Sequence, residues 1–310
     1  MQTPIAFLIF NRSRTTARVF EAIRRARPPM LLVVADGPRG NHPDEAGKVA
    51  AARAVIEMVN WPCEVLKNYS EINLGCKRRI SSGLDWVFQT VEEVIILEDD
   101  CLPHPTFFRF CEELLEKYRD DERIMHISGD NFQFGHQRGK SSYYFSRYAH
   151  VWGWASWRRA WQHYDVQMRQ WADVESREVL LRDFTSPAER RFWKTKWDEV
   201  YLGKIDTWDF QWAFACLLRR SFSIVPNVNL VSNIGFGSDS THTTGVSVLA
   251  NMPTAAMVFP LVAPRSFIRE IDADKQVSNL FFRMPGLIRR IVGKILRWFY
   301  RYMGGWRNAL

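Results

Sequence analysis

Short apolar runs alternate with stretches of helical spacing through the first third of the chain. Ile5 to Phe10, Leu31 to Ala35, Val65 to Leu66 and Val94 to Leu97 read as strands. Between them Ser13 to Arg27, Asp44 to Asn60 and Cys76 to Val91 carry apolar residues at three-and-four intervals, and Pro28-Pro29 stops the first of these helices. That alternation predicts an α/β fold with a mostly parallel sheet flanked by helices, whose site lies at the carboxyl edge of the strands. Beyond it, His104 to Tyr118 reads as a helix, and Arg123 to Ser128 and Tyr143 to Tyr148 as strands. From Val151 to Trp212 tryptophan is dense, helical patterns are short and strand signal is sparse. Tryptophans so spaced ordinarily bury area, with one or two available to stack on a sugar ring.

The last segment has its own pattern. After Pro285, apolar Ile288, Ile291, Val292, Ile295, Phe299, Tyr302 and Met303 recur at helical spacing while Arg289, Arg290, Lys294, Arg297 and Arg301 take other faces. The net charge of +8 belongs here. From Lys275 onward there are eight basic residues and no acid, so the rest of the chain carries equal numbers of each sign. A neutral body argues against a nucleic-acid-binding groove. A basic helix with an apolar stripe suits an anionic membrane surface, contacted through residues 285–306; docking on its own domain or on a partner is the alternative.

Composition adds little more. With 46% hydrophobic residues over 310 positions the chain can bury a large core, as one big domain or two small ones. Five cysteines without a C-x-x-C pair suggest neither a zinc site nor a disulfide framework, and so a reducing compartment. No secretory leader is expected from the first residues, and the N-x-S/T matches at Asn11 and Asn68 are taken as chance. Gly40 with Gly47-Lys48 has the wrong spacing for a phosphate loop. G-x-G-x-x-G, G-x-S-x-G and H-E-x-x-H are absent, which removes the usual dehydrogenase, serine-hydrolase and metalloprotease readings.

What remains is carboxylates and cations. The apolar run Val94 to Leu97 ends in Glu98-Asp99-Asp100, and acids at such an edge suit a hard divalent cation bridging to a diphosphate. A solvated acidic turn is the plainer account. Asp36-Gly37 ends another strand on the same edge. Asn73-Leu74-Gly75-Cys76-Lys77-Arg78-Arg79 puts a glycine turn at a helix start beside three cations, a place to meet a diphosphate or simply a capped, solvated start. Asp209, hemmed by Trp208 and Trp212, is either a general base or an N-cap. His242, in the polar loop Gly235 to His242, is unremarkable alone.

Together, the first strand with Asn11-Arg12, the Asp36 strand end, Asn73-Leu74-Gly75 and Glu98-Asp99-Asp100 resemble nucleotide-sugar glycosyltransferases of the GT-A fold. Ile95 to Phe108 is similar to the metal-site segment of inverting N-acetylglucosaminyltransferases of the family 13 type, and Gly153-Trp154 and Asp209 match that family's Gly-Trp segment and catalytic Asp beside Trp. The resemblance covers roughly residues 1–245. It implies a GT-A (Rossmann-like) domain over 1–262, with a nucleotide-binding half 1–130 and an acceptor half 131–262, followed by a connector 263–284 and a basic tail 285–310.

By that resemblance Asp100 binds Mn²⁺ or Mg²⁺, with His242 assisting. Glu98 and Asp99 hold ribose or donor sugar, Asp36 lies near the base, and Asn11, Arg12, Gly75 and Lys77 complete the nucleotide site. Asp209 is the base, the donor is a UDP-sugar and the product is inverted. Without an expected N-terminal anchor, and with the basic tail, the acceptor is a surface polysaccharide or lipid-linked glycan rather than an N-glycan, and the enzyme is cytoplasmic and peripheral on the inner membrane face. Two alternatives stand beside this. One is a sugar-nucleotide nucleotidyltransferase, disfavoured because Phe10-Asn11-Arg12-Ser13-Arg14 lacks glycine. The other is a membrane-active or scaffolding protein working through its tail.

Overall fold

The computed structural model describes residues 1–236 and 249–283. His242 and the tail 285–310 lie outside the described residues.

The strands are β1 (Ile5–Ile9), β2 (Met30–Ala35), β3 (Glu64–Tyr69), β4 (Glu93–Glu98), β5 (Cys101–Pro103), β6 (Ile124–Ser128), β7 (Tyr143–Ser146), β8 (Trp154–Trp157), β9 (Phe222–Pro226) and β10 (Val231–Asn233). Eight form one sheet in the order β3-β2-β1-β4-β8-β6-β9-β7, and β10 pairs with β5 in a small second sheet. The four strands β3, β2, β1 and β4 are parallel, β8 runs against both β4 and β6, and β9 is parallel to β6. The carboxyl ends of β1, β2, β4 and β6 therefore share one edge. This is an α/β, Rossmann-like fold. Its sheet is continuous across the two proposed halves of the domain, with β8 joining β4 to β6.

Alternation along each central strand divides the core by face. In β1, Ile5, Phe7 and Ile9 pack with α1 (Ser13–Ala26), α4 (Thr106–Lys117) and the 3₁₀ turn Val55–Met58 that follows α2 (Glu45–Ala54). Ala6 and Leu8 pack on the other side with α3 (Gly75–Thr90), α5 (Arg158–Trp161) and α9 (Asp209–Leu218). A third apolar cluster joins α6 (Arg169–Ala172), α7 (Val174–Arg182), α8 (Pro187–Tyr201) and the far side of α9 to α10 (Ile271–Ser278) and the turn after it.

The expected strands and helices of the first half are present, with ends shifted by a few residues. The helix expected over Asp44 to Asn60 is shorter, ending at Ala54. The tryptophan-dense segment requires a correction, because it contains the central strand β8. Trp154 and Trp157 lie on opposite faces of the sheet, one in each core cluster. Trp154, Trp157 and Trp161 also sit at helical spacing, so a short strand buried on both faces is indistinguishable from a helix by period.

Candidate functional site

The acidic end of β4 is gathered around Arg12. Its guanidinium bridges Asp99 Oδ1 at 2.5 Å and Asp100 Oδ2 at 2.8 Å, and the Phe10 amide donates to Asp99 Oδ2 at 3.0 Å. Parallel pairing sets this up, since Leu8 at the end of β1 stands opposite Glu98 in β4 and the next residues of both chains meet beyond the sheet. Asp99 and Asp100 are buried, at 2% and 8% exposure, and burial raises the Asp99 carboxyl to about 6, with the charge of Arg12 opposing the shift. Arg12 is raised in turn, the charges of Asp99 and Asp100 outweighing the opposing effect of its burial. Glu98 makes no ion pair among the described residues, though the charge of Arg12 acts on it too. Withdrawal from solvent, together with the charges of Asp100, Asp99 and Asp209, pushes its carboxyl well above the ordinary range.

A second set of carboxylates holds the start of α3. Asp36 accepts the amides of Gly37, Leu74 and Gly75, at 2.9, 2.9 and 3.1 Å, which ties the end of β2 to the helix. Burial raises Asp36 and those three donors oppose the shift. Asp206 accepts from the amides of Cys76 at 2.9 Å and Lys77 at 3.1 Å. The amides expected to greet a diphosphate are thus taken by carboxylates, favourable partners for the positive end of a helix. Of the three cations expected there, buried Arg79 turns away to Asn68, and half-buried Lys77 makes no ion pair among the described residues. Gly75 takes φ +77°, a conformation open to glycine.

Cys76 stands within electrostatic reach of both sets. Burial pushes its thiol up, and so do the charges of Glu98, Asp209, Asp206 and Asp36. Asp209 is the first residue of α9 and does not cap it in the usual way. Its Oδ1 takes the Thr207 hydroxyl and the Phe210 amide, and no described residue donates to Oδ2. Asn11 donates its side-chain amide to Glu45 Oε1 at 2.8 Å, and Glu45 is held to about 2 chiefly by Arg39.

Three contributors were not singled out from sequence. Asp206 gave no sign that it would cap a helix 130 residues earlier. Gly235 passes so close to the acidic turn that a Cβ there would run into the Asp100 carboxylate and the Arg12 guanidinium, and the Ile234 amide donates to the Asp100 carbonyl at 2.8 Å. Asp130 follows β6 and is 1% exposed; neither carboxylate oxygen has a hydrogen-bond partner among the described residues, and His150 Nδ1 stands 4.0 Å from one of them. Its charge joins those of Asp100 and Glu98 in raising Cys101, so it stands on the same edge. An acid directly beyond an apolar strand was the available signal, the one used for Glu98 to Asp100.

Glu98 and Asp100 offer the hard oxygen donors that Mg²⁺ and Mn²⁺ take. Among the described residues, no three His, Cys, Asp or Glu side chains are grouped to hold a metal ion. A cation held here would take one or two carboxylates from the protein, Asp100 Oδ2 being already engaged by Arg12, and fill the rest of its shell with water and substrate phosphate. Among the described residues no helix is long and apolar enough to cross a membrane.

No family model matches this sequence, and no curated protein does. Among solved structures the chain is similar to a UDP-glucose pyrophosphorylase complexed with UDP-glucose, at 10% identity and a TM-score of 0.38 over 73% of this chain and 90% of that one. It is also similar to the galactosyltransferase LgtC in complex with donor and acceptor sugar analogues, at 12% identity and 0.37 over 93% and 99%. A cytidylyltransferase from Leptospira borgpetersenii aligns at 10% identity and 0.29 over 67% and 75%. Likenesses of this size decide neither reaction nor substrate, and the fold stands on the order and direction of the strands.

Proposed function

We propose that this chain is a metal-dependent inverting glycosyltransferase, transferring a sugar from a nucleotide donor, UDP, to a glycan or lipid-linked acceptor. The observation that carries the reading is the meeting of Asp209 with the acidic end of β4. A carboxylate with one oxygen held by two donors and the other unengaged lies within electrostatic reach of Glu98, at the carboxyl edge of a parallel sheet.

Asp209 Oδ2 takes the proton of the acceptor hydroxyl as that oxygen bonds to the anomeric carbon. The bond to the diphosphate breaks on the opposite face, and its electron pair leaves with the nucleotide. Thr207 and the Phe210 amide hold the base in one orientation. Lys77, half-buried at the start of α3 and without an ion pair among the described residues, meets the negative charge of the leaving diphosphate. Glu98 and Asp100 would hold Mn²⁺ or Mg²⁺, which supplies Lewis-acid neutralisation of that diphosphate. Asp36 and Asn11 border the nucleotide end of the cleft.

The test is thermal shift with UDP in the presence and absence of Mn²⁺, since a ligand that binds only the folded state raises the melting temperature. The expected result is a Mn²⁺-dependent shift lost in Asp100→Ala. Asp209→Ala should keep the shift and lose turnover by about 100-fold or more, the usual worth of a general base. No shift with any nucleotide would sink the donor site, and full turnover in Asp209→Ala would remove the base.

A further inference from the structure

Away from the acidic edge, a cavity of about 360 Å³ opens between the loop after β6, the connection from β9 to β10, and residues 250–255. Its place follows from the small sheet. Asn233 of β10 stands opposite Cys101, the residue after Asp100. On the other side of β10, the Asn251 amide donates to the Asn233 carbonyl and the Ala255 amide to the Asn229 carbonyl, both at 2.9 Å. These two bonds tie residues 251 and 255 to the chain on either side of Val231, so the cavity wall and the acidic turn are joined through β10 and β5.

The walls are fixed by their own amides. Asn229 accepts from the Asn131 amide at 3.0 Å and donates to the Pro253 carbonyl at 3.0 Å, and Asn131 donates to the Pro226 carbonyl at 2.5 Å. Against them stand groups with nothing to do in the fold: the side-chain amides of Gln137 and Asn251 make no hydrogen bond among the described residues. Phe134 and Asn251, both lining the cavity, sit at φ +52°. For a bulky side chain that conformation is costly, and here it keeps the Phe134 ring half-exposed at the cavity wall.

None of the lining residues is ionisable. That sets this cavity apart from the acidic edge and leaves no cation on its wall to meet a phosphate. A half-exposed aromatic ring, free amides and no charge suit a neutral pyranose, which has an apolar C–H face and a rim of hydroxyls that both donate and accept. We propose that this cavity binds a neutral sugar unit of the acceptor. This rests on the glycosyltransferase reading and names the substrate class of its acceptor side.

The test is saturation-transfer NMR on the full chain with lactose, chitobiose and maltose, run beside the UDP and Mn²⁺ thermal shift. At least one disaccharide should bind, and both Phe134→Gly, which keeps the backbone at ease, and the exposed Gln137→Ala should weaken it, the first by about tenfold. The UDP shift should be unchanged in both. Binding by none of the three sugars, or binding unaffected by both variants, overturns the proposal. Sugar binding lost in the variants from a chain that shows no UDP shift would keep the cavity and refute the donor site. A UDP shift with variant-insensitive sugar binding would do the reverse.

Discussion

At the end of β4, one guanidinium serves two of three carboxylates, and the third is left to burial. Asp99 and Asp100 share Arg12, while Glu98 is raised by desolvation and by its acidic neighbours. The sign of the resulting pH dependence is fixed by linkage. A carboxyl raised in the folded state binds its proton more tightly there than in the unfolded chain, so its contribution is complete below the ordinary value of 4.5 and is lost as pH rises through the raised one. Without divalent cation, Glu98→Gln should therefore gain in melting temperature relative to the parent as pH rises above 4.5, with little difference below it. A difference between the two chains that stayed constant with pH would show that Glu98 binds its proton no more tightly in the fold than in the unfolded chain. Asp130 poses the same problem without a neighbouring cation. Fully buried and unpartnered, it is raised well above the carboxylate range by desolvation.

Elements bring these residues together, and one buried histidine connects two of them. His126 of β6 accepts from Trp212 Nε1 of α9 at 3.1 Å on Nδ1, and its Nε2 donates to the His150 carbonyl at 2.7 Å, a tautomer assigned from these partners. The ring also stacks on Trp154, 5.1 Å between centroids. α9 carries Asp209 one turn before Trp212, so this link helps fix where the proposed base stands. Both bonds require a neutral ring, and burial holds His126 at about 3. His126→Phe would leave a buried indole N–H and a buried carbonyl unsatisfied, at a cost of about 2–4 kcal/mol by denaturant melt. The parent's contribution from His126 is complete above pH 6.5 and falls away as pH drops toward 3, because the unfolded chain takes up the proton first. The variant should lack that part of the acid slope, and an unchanged slope would mean that His126 is charged in the fold.

The first four strands of the sheet were legible because each is a short apolar run ended by turn residues, and the acids at one end gave the edge. β8 was not, because its tryptophans satisfy two periods at once. The Arg12 bridge and the Asp206 cap were out of reach for another reason, since both join residues far apart in sequence. The stand of Gly235 against Asp100 depends likewise on β10 pairing with β5.

For the whole molecule, the charge balance separates body from tail, and packing says where the division falls. Leu280 is buried in the third apolar cluster, with Phe281 and Phe282 packed against it, and Phe132 meets Phe281 at 5.0 Å between centroids. A cut before Arg283 keeps this packing and removes seven of the eight basic residues that make the net charge positive. If the tail is a membrane contact and the body a catalyst, the shortened chain should melt close to the parent and keep the Mn²⁺-dependent UDP shift. It should also lose co-sedimentation with anionic vesicles, whose attraction for each basic residue near the surface is about 1 kcal/mol. Raising the salt should weaken the parent's vesicle binding and leave the nucleotide shift nearly intact, because surface charges are screened and a site-bound pair much less so. Loss of both activities on cutting would mean that the tail completes the site. Vesicle binding that survived the cut would move the contact to the body, where Val258, Val262, Ile268 and Ile271 are exposed along the segment leading to α10.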